Sequence, residues 1–87
     1  MAYSVEFTPL AARQIRKMSR DVQKRIIDRI EELQEDPRPH GVKKLTDLEA
    51  LYRVGVGDYR IIYQIRDKAL VVLIVKVGHR REVYRIT

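Results

Sequence analysis

Arg53, Arg60, Arg80 and Tyr84 are the side chains of this sequence best suited to chemistry, and the chemistry they suit is done on phosphate. A guanidinium presents a rigid fork of donors that matches a phosphate and stabilises the extra charge of a phosphoryl-transfer transition state. Arg53 and Arg60 lie on either side of Gly57-Asp58, a tight turn, so the two strands of one hairpin carry them. Both fall opposite the apolar alternation Tyr52, Val54, Val56 and Tyr59, Ile61, Tyr63, Ile65, and so point away from the buried face. Arg80 and Arg81 follow Gly78, where the chain can bend, and one of them can join the pair on a concave surface. Each arginine taken alone is more often a solvated surface charge, and the one-sided set is what sharpens the phosphate reading. Tyr84 stands among these cations, which favour its ionised form and suit it to act as a general base. The alternative is a ring packed on the sheet with its hydroxyl in water. His79 could donate a proton to a leaving oxygen or bond a phosphate, although a lone histidine in a basic segment is more often a surface residue.

Charge distribution points the same way. Residues 53–87 hold eight Lys and Arg against three acids, whereas residues 1–52 hold ten against nine, so most of the net +6 belongs to the C-terminal strands. Cations beside tyrosines on a sheet suit a polyanion, and RNA in particular, because its 2′-hydroxyl is a built-in nucleophile next to each phosphorus. The protein then has to supply a base, charge stabilisation and in-line geometry. Other chemistries lack their residues. There is no cysteine for a disulfide or a thiolate, and the two histidines, His40 and His79, make no metal-ligand spacing. Gly55 and Gly57 lack the third glycine of a dinucleotide fingerprint. We therefore expect no metal and no small-molecule cofactor.

The elements that must position these residues can be read from periodicity. The 87 residues make a single domain, 1–87, of modest stability, since a chain this short buries only about 60–65% of its unfolded surface. Tyr3–Phe7 alternates as a short strand. Thr8-Pro9 opens a helix as cap and first residue, and Leu10–Met18 continues it. Ser19 caps a second helix over Arg20–Glu35, with Val22, Ile26, Ile30 and Leu33 on one stripe, and Pro37 and Pro39 follow its end. His40–Ala50 reads as a loop carrying Lys43 and Lys44. Leu51–Val56, Tyr59–Arg66 and Ala69–Val77 read as three antiparallel strands. The last is reached by a two-residue reversal and is apolar on both faces, which predicts the sheet centre. The expected fold is α+β: an N-terminal strand, a helical hairpin, then a three-stranded meander in one sheet packed on the helices. The longest apolar run, Ala69–Val75, is far short of the roughly 18 residues of a membrane helix. The N-terminus also lacks the regions of a signal peptide, so no membrane is expected and the cytoplasm is the expected location.

These segments together resemble the RelE/ParE family of bacterial and archaeal toxins. The resemblance runs from the Tyr3–Phe7 strand through Pro37-Arg38 to Leu51-Tyr52-Arg53-Val54, Gly57-Asp58-Tyr59-Arg60-Ile61-Ile62-Tyr63 and Val77-Gly78-His79-Arg80-Arg81-Glu82-Val83-Tyr84. The RelE branch implies a ribosome-dependent, metal-independent endonuclease that cleaves mRNA in the A site by 2′-hydroxyl attack, and a cognate antitoxin as partner. It implies that Arg60 and Arg80 contact the scissile phosphate and that Tyr84 is a general base or stacking group. Arg53 takes the place of a catalytic lysine, keeping charge but not proton chemistry. A second lysine of that branch falls here at Gly55, which leaves more for Tyr84 or His79 to do. Lys43, Lys44, His79 and Arg81 are expected to touch RNA more diffusely. The alternative is the ParE branch, a non-catalytic DNA gyrase inhibitor on the same fold.

Overall fold

A computed structural model describes residues 2–46 and 50–81. Their elements in chain order are β1 (Ser4–Phe7), α1 (Pro9–Arg16), α2 (Arg20–Glu35), β2 (Lys43–Thr46), β3 (Leu51–Val56), β4 (Tyr59–Arg66) and β5 (Val71–His79). Both helices begin as their caps dictate. The Thr8 hydroxyl accepts from the Ala11 N–H at 3.1 Å with Pro9 in the first turn, and the Ser19 hydroxyl accepts from the Val22 N–H at 3.3 Å. The α1–α2 junction is braced by Gln23, whose amide donates to the carbonyls of Ile15 and Met18 at 2.8 and 3.2 Å. The Ile15 carbonyl also accepts from the Met18 N–H at 3.1 Å, in the tightened last turn of α1.

The sheet has the order β1-β5-β4-β3-β2, with β1 parallel to β5 and the remaining pairs antiparallel. The meander β3-β4-β5 and the helical hairpin match the expected α+β fold. Three local expectations are corrected. Lys43–Thr46 is a strand pairing β3, not loop, because an edge strand shows no burial alternation to read. The link from β4 to β5 spans Asp67–Leu70, and Leu70 sits at a φ of 54° where the chain reverses. The middle of the sheet is β4; β5 is interior, between β1 and β4.

One face of the sheet packs on the helices. Ala11, Ile26, Ile30 and Leu33 meet Tyr52, Val54, Ile61, Tyr63, Ile65, Val72, Ile74 and Val77 in one buried cluster. Tyr63 is fully buried, its ring stacked with that of Tyr52 at 5.8 Å, and its hydroxyl donates to the Pro37 carbonyl at 2.7 Å. Burial pushes its phenol well above the ordinary value.

The buried alternation on β5 changes phase. Ile62 pairs with Lys76 but Tyr63 pairs with Ile74, which leaves Val75 as an extra, bulged residue. Before it Val72 and Ile74 face the helices; after it Val77 does, and Lys76 turns to the opposite face, where it and its partner Ile62 are each only 9% exposed. The cap of α1 and a residue of its last turn take up the backbone groups here. Thr8 donates its hydroxyl to the Val75 carbonyl at 2.6 Å, and the Gln14 side-chain oxygen accepts from the Val77 N–H at 2.8 Å.

A polar network closes the far end of the sheet. Arg38 donates to both carboxylate oxygens of Asp67 at 3.2 and 2.8 Å and to the Tyr52 hydroxyl at 3.2 Å, and Tyr3 donates to Asp67 at 2.7 Å. The bonds from Arg38 and then Tyr3 hold the Asp67 carboxyl at about 2.

Two measurements test this packing. Gln14→Ala strands the partly buried Val77 N–H, and urea unfolding is expected to show a loss of about 1–3 kcal/mol. Asp67 titrates lower when folded, so its stabilisation is present above 3.8 and is lost as pH falls towards about 2. The difference in melting temperature between wild type and Asp67→Asn should therefore be full at neutral pH and close across that window. A difference that persists undiminished at its acid end would contradict the assignment.

Candidate phosphate-binding site

Strand register decides which cations share the open face. Residues directly paired across antiparallel strands point the same way, and Lys43 pairs Arg53, Arg53 pairs Ile62, and Ile62 pairs Lys76. Ile61 and Tyr63 face the helices, so this row lies on the other side, away from them. The next row is Gly55, Arg60 and Gly78. Arg53 and Arg60 thus stand on one face, with a glycine on each strand flanking Arg60. Lys76 shares that face and is the functional candidate that alternation alone missed. Counting in twos from Val72 and Ile74 puts residue 76 among the core, and the signal that could have revealed the bulge is the lysine itself, since an ammonium is not left in an apolar core.

The guanidinium of Arg60 is held by backbone. It donates to the Gly57 carbonyl at 3.2 Å and to the Tyr59 carbonyl at 3.0 Å, and it lies over Gly55. A Cβ at position 55 would stand only 3.1 Å from its terminal nitrogen. The space left by the missing side chain at position 55 is therefore taken by Arg60. Gly57 has a φ of 58°, and Asp58 is not in that region, the pattern of a hairpin turn that needs glycine at its first central position.

Arg80 reaches the same end of the sheet from the other side of β4. Its N–H donates to the Asp58 carbonyl at 2.7 Å, and its side chain, 56% exposed, makes a loose ion pair with Asp58 at 3.9 Å. His79 pairs Tyr59, meets its ring edge-on at 5.7 Å, and so lies in phase with Val77 on the helix side of the sheet, not with Arg53 and Arg60. Its Nδ1 accepts from the Arg81 N–H at 3.2 Å, which in the neutral ring leaves the proton on Nε2. Lys43 and Lys44 part company. Lys43 is in the open-face row, whereas Lys44 pairs Tyr52 and sets its ammonium 5.8 Å from that ring's centre, on the helix side. Arg81 is exposed beyond the end of β5. Tyr84 lies outside the described residues. Among the described residues no group of three His, Asp or Glu side chains is placed to hold a metal ion, and no helix is long and apolar enough to cross a membrane.

Known proteins agree with this architecture. Residues 5–84 match the family described as the ParE toxin of the type II toxin–antitoxin system, parDE. The chain is 32% identical over 88 residues to the mRNA interferase toxin RelE of Escherichia coli, covering 97% of this chain and 92% of that one. It is 29% identical over 86 residues to Toxin RelG of Mycobacterium tuberculosis, covering 98% and 99%. Among solved structures, the archaeal RelE–RelB complex from Pyrococcus horikoshii superposes with a TM-score of 0.82 at 28% identity, over 94% of this chain and 99% of that one. The isolated E. coli RelE toxin does so with a TM-score of 0.80 at 31% identity, over 97% and 93%. The chain therefore belongs to the RelE/ParE family of toxins of type II toxin–antitoxin systems.

Proposed function

We propose that this toxin is a ribosome-dependent mRNA endonuclease that cuts in the A site. The observation that supports this most is the common face of Arg53 and Arg60, which sets two guanidinium groups in neighbouring rows on one side of the sheet where a phosphate can be held. In the proposed step the 2′-oxygen attacks the adjacent phosphorus and the bond from phosphorus to the 5′-oxygen breaks. The products are a 2′,3′-cyclic phosphate and a 5′-hydroxyl. The 2′-hydroxyl proton goes to a general base, and the departing 5′-oxygen takes up a proton. Arg53, Arg60 and Arg80 carry the charge that grows on the phosphate oxygens. Arginine does not readily give up its proton, so proton transfer falls to another group. His79 stands on the helix side of the sheet, so Tyr84 is the proposed base or, failing that, the group on which a base stacks. Lys43 and Arg81 would contact the RNA backbone further out, and Lys76 adds a positive charge to the face that carries Arg53 and Arg60. The ribosome holds the mRNA in line over a site that is open on one side. The proposed protein partner is a cognate antitoxin, as in the solved complexes of RelE with RelB.

Mapping 5′ ends on an mRNA translated in vitro tests the reading. Wild type should produce new ends inside ribosome-occupied codons and none on ribosome-free mRNA. Arg60→Ala or Arg80→Ala should slow cleavage by about 10²–10³-fold, as loss of one charge-stabilising donor does elsewhere. An intact message in growth-arrested cells with rising DNA damage would instead support a gyrase inhibitor of the ParE kind. A subtler expectation concerns Gly55→Ala. The added methyl forces the Arg60 guanidinium off its two carbonyl anchors by a few tenths of an ångström, so single-turnover cleavage should slow by about 3–10-fold with little change in melting temperature.

A further inference from the structure

Arg80 differs from the other two arginines of the site in how it is aimed. Arg53 and Arg60 are held in the ladder, each paired with residues of neighbouring strands. β5 ends at His79, and Arg80 and Arg81 form the turn beyond it. Two bonds grip the backbone there. The Arg80 N–H donates to the Asp58 carbonyl at 2.7 Å, and the next N–H, that of Arg81, donates to Nδ1 of His79 at 3.2 Å. The guanidinium is 56% exposed, and its 3.9 Å approach to Asp58 is too long for a hydrogen bond. Its direction is therefore set by the backbone of the turn, held on one side by the β3–β4 hairpin and on the other by an imidazole.

The His79 bond has the form of an Asx-turn, in which a side-chain acceptor takes the N–H two residues on. Packing fixes the ring that accepts. His79 pairs Tyr59 and meets its ring edge-on at 5.7 Å, and Tyr59 in turn packs against the core. An imidazole differs from the amide of an Asn in that it changes charge between about pH 5 and 8. The neutral ring has one lone pair, and here Nδ1 offers it to the Arg81 N–H. A proton added to the ring goes to Nδ1, since Nε2 already holds one, and turns the acceptor into a donor that faces another N–H. The cation so formed also stands beside Arg80 and Arg81 in the chain. Among the described residues, the other charged or titratable groups on this side are Tyr59 on β4, Asp58 in the hairpin turn and Arg25 of α2 against Gly57. The end of α1, which meets β5 through Gln14, adds Arg13, Arg16 and Lys17.

We propose that His79 is a positioning residue for Arg80. The neutral ring closes the turn that aims the guanidinium at the scissile phosphate, and protonation opens it. The role rests on the reading of Arg80 as a group that stabilises charge on that phosphate, and it adds a control by pH. Cleavage is supported while the ring is neutral and falls as pH drops through its titration. His79 itself touches no reacting atom, in keeping with its place on the helix side of the sheet.

Single-turnover cleavage of ribosome-bound mRNA from about pH 5.5 to 8 tests the role. It compares wild type with His79→Phe, His79→Asn, Arg80→Ala and the double variant His79→Phe/Arg80→Ala. Phe keeps a ring against Tyr59 but has no acceptor, and should slow cleavage about tenfold at the alkaline end. Asn supplies an acceptor that does not titrate, and should recover the rate to within about threefold of wild type. Lowering the pH should bring wild type down towards the His79→Phe rate, while the ratio of His79→Phe to His79→Asn stays constant. A general base titrating elsewhere is common to all variants and cancels in these ratios. In the Arg80→Ala background His79→Phe should cost nothing further, because the residue it positions is gone. The Arg81 N–H is exposed and is left to water in His79→Phe, so melting temperatures should hardly differ. The proposal is overturned if Phe and Asn cut alike, if the ratio of wild type to His79→Asn does not change with pH, or if the effects of His79→Phe and Arg80→Ala multiply. Nitrogen-15 NMR of the free toxin separates the role from the ribonuclease reading. The Arg81 amide and the Arg80 Nε–H should follow the His79 titration in wild type and stay still in His79→Asn. Wild type that cuts no mRNA while these signals follow His79 would end the ribonuclease reading and leave the positioning of Arg80 standing. Signals indifferent to His79 would overturn the positioning whether or not mRNA is cut.

Discussion

The pairing of β4 with β5, with Val75 as one residue too many, is the constraint on which the site depends. A side chain on a strand changes face with every residue, so a single extra residue moves everything after it to the other side. Before Val75, β5 lays Val72 and Ile74 on the helices; after it, Val77 does so, and Lys76 joins Arg53 on the open face while His79 goes to the helix side. A bulge leaves backbone groups out of the ladder, and here α1 takes them up through Thr8 and Gln14. The residue that caps α1 is therefore also one that secures the phase of the sheet. Helix start and site geometry are coupled through Thr8, which bonds the Ala11 N–H and the Val75 carbonyl together.

The second organising element is the Gly57-Asp58 turn. Arg60 anchors to the Gly57 carbonyl, Arg25 packs against its Cα, and Arg80 ties its backbone and, loosely, its side chain to Asp58. Three guanidinium groups thus gather at one hairpin tip, where the Asp58 carboxylate pairs loosely with Arg80. Such an arrangement does little for the stability of the free protein, because like charges repel and an exposed ion pair contributes little. The far end of the sheet is built in the opposite way. There Arg38 and Tyr3 satisfy Asp67, and the network joins β3 to the segments that follow α2 and β4.

Family membership does not by itself select an activity, because one fold carries both RelE and ParE toxins and function lies in the side chains set on it. The departure at position 55 shows how this chain differs. Where the resemblance implies a lysine there is glycine, and Arg60 lies over the vacated space with both its hydrogen bonds made to backbone. The change is thus local, with a glycine on β3 and an arginine on β4 fitted to each other across one row of the sheet.

Much of this protein was legible in the order of its residues. Thr8-Pro9 and Ser19 mark helix starts, the Val22-Ile26-Ile30-Leu33 stripe marks a helix face, and the alternation through Tyr52–Val56 and Tyr59–Ile65 separates core from open face. These are local signals, set by backbone dihedrals and side-chain period, and they placed Arg53 and Arg60 together. What the sequence alone could not decide depends on pairing between distant segments. That Lys43–Thr46 is a strand depends on the edge of β3 being open to it. That β1 adds to β5 while β2 adds to β3 makes β4, not β5, the middle strand. Lys76 reaches the open face because the bulge changes the phase of β5, and Arg25 reaches Gly57 because α2 lies across the sheet. Each of these joins residues far apart in the chain, and a periodic pattern read along one strand or helix carries no record of what that element will meet.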